Sequence, residues 1–177
     1  MKKEELTEMI GLYGDEIYAF CYRLTNNKND ADELYQDTFL KAVEIYHRID
    51  CQHNPRCYLI GIANRLWKNQ HKKHENRNRL IPMQHITDEM NEKVMNNSNV
   101  HTPESILLQN ECDHIILESL NLLDDKFRIP LIMYYSVELP LKEIAKILKV
   151  PEGTIKTRLY KGRKIIKKEL EEKMYAK

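Results

Sequence analysis

The sequence predicts an all-α protein: two small helical domains joined by a flexible linker, the second carrying a helix-turn-helix. Three observations carry that prediction. Apolar residues recur at helical spacing through most of the chain. The 177 residues include only 5 Gly and 6 Pro, too few for the frequent turns of a β-sandwich. Between about His74 and Pro103 the periodicity fails, and "ENRNRLIPMQHITDEMNEKVMNNSNVHTP" is polar, Asn-rich and long for a connection inside one compact domain. The expected division is residues 1–75, a linker over 76–103, and residues 104–177.

Residues 4–24 place Leu6, Met9, Ile10, Tyr13, Ile17, Phe20, Cys21 and Leu24 on one helical face. The turn formers of "TNNKND" end that helix, and Asn29 or Asp30 is positioned to cap the next, "ADELYQDTFLKAVEIYHRI". Its inward stripe is read as Ala31, Leu34, Tyr35, Thr38, Ala42 and Ile45, with Glu33, Gln36, Asp37, Lys41 and Glu44 on the other face. After the loop "DCQHNP", Pro55 suits the first turn of a third helix, "RCYLIGIANRLWKNQHKKH". The C-terminal segment reads as "PESILLQNECDHIILESLNLL", "DDKFRIPLIMYYSV", "PLKEIAKIL" and a final basic helix. Pro130 removes one backbone bond inside a helix starting near Lys126, so a kink or a late start is expected there.

Hydrophobic content of 42% permits a core and charged content of 31% fits much helix surface. No apolar run is long enough to span a membrane, and the acidic start "MKKEELTEMI" lacks a signal-peptide core, so direct membrane insertion is not expected and a cytoplasmic location is. Cys21, Cys51, Cys57 and Cys112 form no CxxC pair, which argues against disulfides in such a chain. "CQHNPRC" groups Cys51, His53 and Cys57, but no fourth ligand is evident, and free thiols with a loop histidine are the simpler reading. No metal or other cofactor is expected.

The net charge of +1 hides an alternation. Residues 1–50 carry −5, residues 51–80 carry +6, residues 81–140 carry −7 and residues 141–177 carry +7. The two basic blocks are candidate polyanion surfaces. The second has helix-turn-helix anatomy. Leu141, Ile144, Ala145 and Leu148 face inward on its first helix, Val150, Pro151 and Gly153 make the turn, and Thr154 can cap the second helix. Ile155, Leu159, Gly162, Ile166 and Leu170 then form one buried stripe, and close packing is expected to compensate for Gly162. Lys156, Thr157, Tyr160, Lys161, Arg163 and Lys164 point away from that stripe, and Thr154 to Lys168 contains no acidic residue. A solvated Lys-rich face is the bland alternative; unpaired cations on an oriented helix suit a nucleic-acid partner better.

The passage "LKEIAKILKVPEGTIKTRLYKGRKII" resembles region 4.2 of bacterial extracytoplasmic-function sigma factors, and "LESLNLLDDKFRIPLIMYYSVELP" is similar to their region 4.1. "NDADELYQDTFLKAVEIY" resembles region 2.2, and "NPRCYLIGIANRLWKNQHKKH" resembles regions 2.3 and 2.4. Four ordered matches cover nearly the whole chain. The resemblance implies a non-enzymatic specificity subunit of RNA polymerase. It implies docking on the β′ clamp helices and β flap of the polymerase core, binding to promoter DNA, and an anti-sigma factor that could hold the protein at a membrane.

Residue by residue, the resemblance assigns core polymerase binding to Asp32, Glu33, Gln36, Asp37 and Phe39; Phe39 and Leu40 adjoin that face, and one of them is expected to be exposed enough to anchor the contact. It assigns the −10 element to Arg65, Lys68, Asn69, Lys72 and Lys73, with the loop from His47 to Asn54 as pocket wall, while Trp67 is read as core. It assigns the −35 element to Lys156, Thr157, Arg158, Lys161 and Arg163, with Lys164 as an additional phosphate contact, whereas helical spacing itself places Arg158 at the flank. The chain departs from the family at Arg65, at Asn69 and at Tyr58, where Asn, an acidic residue and Trp are usual, which bears on the −10 preference. The rival reading is a conventional helix-turn-helix regulator that binds an operator without core polymerase. A metal-dependent hydrolase using Cys51, His53, Cys57, His71 and His74 lacks a carboxylate and nucleophile constellation.

Overall fold

The computed structural model describes residues 3–45, 54–80 and 116–175. Every regular element among them is helical. The chain divides into two units, Met1–Glu92 and Lys93–Lys177. Cys51, His53, most of the loop from His47, the side chain of His74, and residues 81–103 of the expected linker lie outside what is described.

In the first unit α1 (Lys3–Thr25), α2 (Lys28–Glu44) and α3 (Pro55–Leu80) pack against one another. Ile17, Phe20 and Leu24 of α1, Leu34 and Ala42 of α2, and Leu59, Ile60 and Ala63 of α3 are fully or almost fully buried. Each large aliphatic or aromatic side chain so buried contributes about 1.5–3 kcal/mol. α1 ends where Asn26 turns left-handed, at φ 54°, and donates its N–H to Tyr22 O at 2.8 Å. The cap of α2 lies earlier than expected. Asn27, not Asn29 or Asp30, is the N-cap, and its Oδ1 accepts from Asp30 N at 3.1 Å. All three residue types can cap. Placing the cap at Asn27 makes Ala31 the fourth helical residue and leaves it buried.

Thr38 is buried and satisfied, its hydroxyl donating to Leu34 O at 2.6 Å. Phe39 replaces Tyr35 as the fully buried aromatic of α2, while Tyr35 and Ile45 are half-buried. An ion pair from Arg56 Nη2 to Glu16 Oε1 at 2.8 Å ties the start of α3 to α1. α3 starts at Pro55 as expected but runs on to Leu80, into the segment read as linker. "HENRNRL" is polar apart from its last residue, so apolar periodicity does not report this continuation of the helix.

The second unit contains α4 (residues 116–121), α5 (Asp125–Leu131), a π-helical turn (Ile132–Ser136), α6 (Leu141–Leu148) and α7 (Glu152–Tyr175). α5 does not start late: it begins at Asp125 and carries the buried Pro130 inside it. The irregularity comes just after, as the π turn, which closes with Val137 N donating to Ile132 O at 3.3 Å. α5 and α6 both pack on α7. The core gathers Ile129, Ile132, Met133, Leu139, Ile144 and Ile155.

Candidate nucleic-acid interface

The orientation of α7 is set by its apolar seam. Ile155 and Leu159 are buried, and Ile166 and Leu170 continue the stripe half-buried. Gly162 lies between them. A Cβ built there meets Leu131 Cδ1 at 2.7 Å and both Leu131 Cγ and Phe127 Cβ at 3.4 Å, so α5 closes on α7 here and any larger residue requires the Leu131 side chain to shift. Glycine in a helix interior costs about 1 kcal/mol relative to alanine; this close approach is what the helix gains for it.

With the seam inward, Lys156, Thr157, Tyr160, Lys161, Arg163 and Lys164 are exposed, and Arg158 is half-buried at the flank. Their partners differ. Lys156 is not unpaired: its Nζ lies 3.1 Å from Glu152 Oε1, one turn earlier. Lys167 and Lys168 likewise meet Glu171 and Glu172 at 3.6 and 3.4 Å. The run from Thr154 to Lys168 lacks acids, yet its two ends are paired from outside it. Among the described residues Arg158, Lys161 and Lys164 show no ion pair. Thr157 donates its hydroxyl to Gly153 O at 3.0 Å, which leaves oxygen lone pairs able to accept from a base. Arg163 Nη1 donates to Tyr135 Oη at 3.2 Å, which turns this guanidinium toward the π turn.

The turn before α7 differs from its expected form. Lys149, at φ 54° and ψ 47°, is the left-handed residue that ends α6, and Val150 N donates to Ala145 O at 3.1 Å. Gly153 is helical, and Thr154 lies within the first turn of α7 with its N–H on Pro151 O at 2.9 Å, so its hydroxyl is not the cap. Lysine carries no turn signature, whereas "PEG" does; the glycine drew the turn into what is α7.

On α3, Arg65, Lys68, Asn69, Lys72 and Lys73 are all exposed, at i, i+3, i+4, i+7 and i+8 of one helix face. Trp67, 6% exposed, is core, and its indole stacks on His71 at 5.0 Å and 16°. Among the described residues no group of three His, Cys, Asp or Glu side chains could hold a metal. Cys57 is buried, and burial pushes the Cys21 thiol up to about 12.

The acidic face of α2 is stitched into its neighbours. Tyr18 of α1 donates its hydroxyl to Asp32 Oδ1 at 2.8 Å, and Gln70 of α3 donates to Asp37 Oδ2 at 3.5 Å. Burial, and then the bond to Asp32, push the Tyr18 hydroxyl up to about 12. Glu33 and Gln36 are exposed. Of the two apolar residues beside them, Phe39 is 8% exposed and packs edge-on against Tyr35 at 4.8 Å, while Leu40 is 63% exposed. Phe39 therefore offers no accessible side chain, and Leu40, with the less exposed Val43 one turn on, is the main apolar group this face presents. The neighbouring helices' polar side chains Tyr18 and Gln70 carried no sequence signal, because which pairs meet across helices depends on packing rotation.

Comparison with known proteins agrees with this geometry. Sigma-70 region 2 matches residues 9–77, and Sigma-70 region 4 matches residues 113–166. The chain is 27% identical to the ECF RNA polymerase sigma factor SigW of Bacillus subtilis over 168 residues, covering 95% of this chain and 90% of that one. It is 25% identical to SigM of the same organism, covering 92% and 93%. In fold it resembles the sigma factor RpoE solved with the anti-sigma factor NepR from Bartonella quintana, at a TM-score of 0.78 and 20% identity over 95% and 98% of the two chains. CnrH, solved with the cytosolic domain of CnrY, superposes at a TM-score of 0.67 and 14% identity over 96% and 90%. A region 2 unit of three helices, a region 4 unit whose α7 turns its cations outward, and relatives matched over nine-tenths of their length have one explanation: the chain belongs to the sigma-70 family, as a promoter-directing sigma factor of its extracytoplasmic-function group.

Proposed function

We propose that this sigma factor works by binding alone, through three surfaces divided between its units. α2 docks on the clamp helices of core polymerase, where Glu33, Gln36 and the braced Asp32 and Asp37 suit a basic surface and Leu40 supplies the apolar anchor. The exposed stripe Arg65, Lys68, Asn69, Lys72 and Lys73 of α3 holds the −10 element as it opens. α7 enters the major groove at the −35 element, with Thr157 and Lys161 near base edges and Arg158 and Lys164 on phosphates. Lys156 gives up its Glu152 pair to join them, and Arg163 reaches DNA from beside Tyr135. Residues 1–75 and 104–177 act as the two working domains with 76–103 as tether. Bond formation belongs to the polymerase. The protein acts in the cytoplasm, where an anti-sigma factor masks these faces and region 4 also meets the β flap; no helix among the described residues is long and apolar enough to cross a membrane.

The observation that carries this reading is the seam at Gly162, which fixes the rotation of α7 and so puts Lys161 and Lys164 on its outer side. Transcription by bacterial core polymerase from a random promoter library tests it. Addition of the chain is expected to enrich a pair of short elements with one spacing. No start site that depends on the chain, or tight operator binding by the free chain, would overturn it in favour of a conventional regulator.

A further inference from the structure

Lys149 occupies a backbone conformation that disfavours it. At the C-terminal end of a helix the left-handed residue is usually Gly, sometimes Asn, because a Cβ crowds the following carbonyl oxygen there. Lys149 sits at φ 54° and ψ 47°. Two other described residues that are not glycine have positive φ, Asn26 and Glu138; asparagine tolerates it, so Lys149 and Glu138 are the strained pair on either side of α6.

The Lys149 side chain is exposed, at the turn between α6 and α7. With Lys142 and Lys146, seven and three residues earlier on one side of α6, it lines an open concavity that continues to Pro151 and Glu152 at the start of α7. Lys146 is committed to Glu143 at 2.8 Å. Among the described residues Lys142 and Lys149 show no ion pair. The concavity ends against α7 at Glu152, whose carboxylate pairs with Lys156 on the outer face of that helix at 3.1 Å. In a helix-turn-helix the second helix fills the groove while the first crosses the sugar-phosphate backbone.

We propose that Lys149 and Lys142 form a second anion site, separate from the groove-facing side of α7, that grips DNA backbone phosphate at the turn. Lys149 is its principal residue. The inference rests on the reading of α7 as a DNA-binding helix and extends it to a face that reading did not use. On this account glycine at position 149 improves the fold and harms binding, so stability and affinity move in opposite directions.

The test uses the full chain and a random-sequence 30-base-pair duplex, since phosphate contacts are sequence-independent. Lys149→Gly should raise the melting temperature of the C-terminal unit by about 3–6 °C. It should weaken duplex binding about three- to tenfold near 50 mM salt and reduce the slope of log affinity against log salt by about 0.9. Lys149→Arg should keep wild-type affinity and slope. Glu138→Gly relieves the same kind of strain without removing a cation, and should raise melting temperature with binding undiminished. Unchanged affinity and slope in Lys149→Gly would overturn the proposal, whatever the melting temperature does. Lys161→Ala separates this failure from that of the underlying reading: if it also leaves binding unchanged, α7 is not the DNA helix.

Discussion

The two units position their working groups by different means. In region 4, α7 is turned by apolar contact: Leu131 and Phe127 close on Gly162, and the cations point outward because the seam points inward. In region 2, the carboxylates of α2 are held by polar side chains from two neighbouring helices, Tyr18 on Asp32 and Gln70 on Asp37. The difference has a physical origin. Under the proposed function the α7 cations meet a phosphate ladder and need only be on the correct side and free to move, so packing suffices. The α2 carboxylates, proposed to meet a defined protein surface, benefit from fixed rotamers, because ordering them beforehand lowers the entropy lost on docking.

That contrast is most easily broken at the seam. Gly162→Val forces branched carbon into Leu131 and should cost about 2–3 kcal/mol of region 4 stability, read by thermal or urea unfolding, and lower −35 binding with it. If valine is accommodated at no cost, the seam does not set the rotation of α7. On region 2 the largest effect belongs to Leu40, exposed and therefore free to change without harm to the fold. Leu40→Asp should weaken core polymerase binding at least about tenfold, near 1.4 kcal/mol, with its melting temperature within a degree or two of wild type. Loss of folding rather than of docking would place Leu40 among structural residues instead.

Smaller effects sharpen the comparison. Lys161→Ala should lower −35 promoter affinity about three- to tenfold and flatten the salt slope by about 0.9; an unchanged slope would mean that Lys161 does not touch phosphate. Tyr18→Phe removes one half-exposed hydrogen bond and should cost about 0.5–1 kcal/mol. Because folding raises the Tyr18 pKa from 10.0 to about 12, the hydroxyl's contribution is complete below pH 10 and is lost as pH rises toward 12. An alkaline unfolding titration should therefore be shallower in that window for Tyr18→Phe. Equal slopes would show that the Tyr18–Asp32 bond does not persist in solution.

Much of this was readable from residue spacing, and the failures are specific. The stripe from Ile155 to Leu170, the closeness at Gly162 and the flank position of Arg158 follow from a 3.6-residue period, which local sequence carries directly. The pairing of Lys156, Lys167 and Lys168 was missed because their glutamates lie one turn outside the acid-free run. Val150 and Pro151 lie in the turn as expected, but its first residue is not legible, because Lys149 adopts a left-handed conformation that its residue type does not announce. Which of the adjacent residues Phe39 and Leu40 faces the core depends on how α2 is rotated against α1 and α3, a property of the packed unit.

The division of labour between the units is open to direct measurement by photo-crosslinking in the promoter complex with core polymerase. A photoreactive residue replaces Thr157 in one variant and Asn69 in another, both positions being exposed. The expected result is two separate footprints: Thr157 crosslinks to duplex DNA at the upstream −35 element, and Asn69 to the non-template strand at −10. Crosslinks from both positions to one element, or from Thr157 to polymerase alone, would contradict the account.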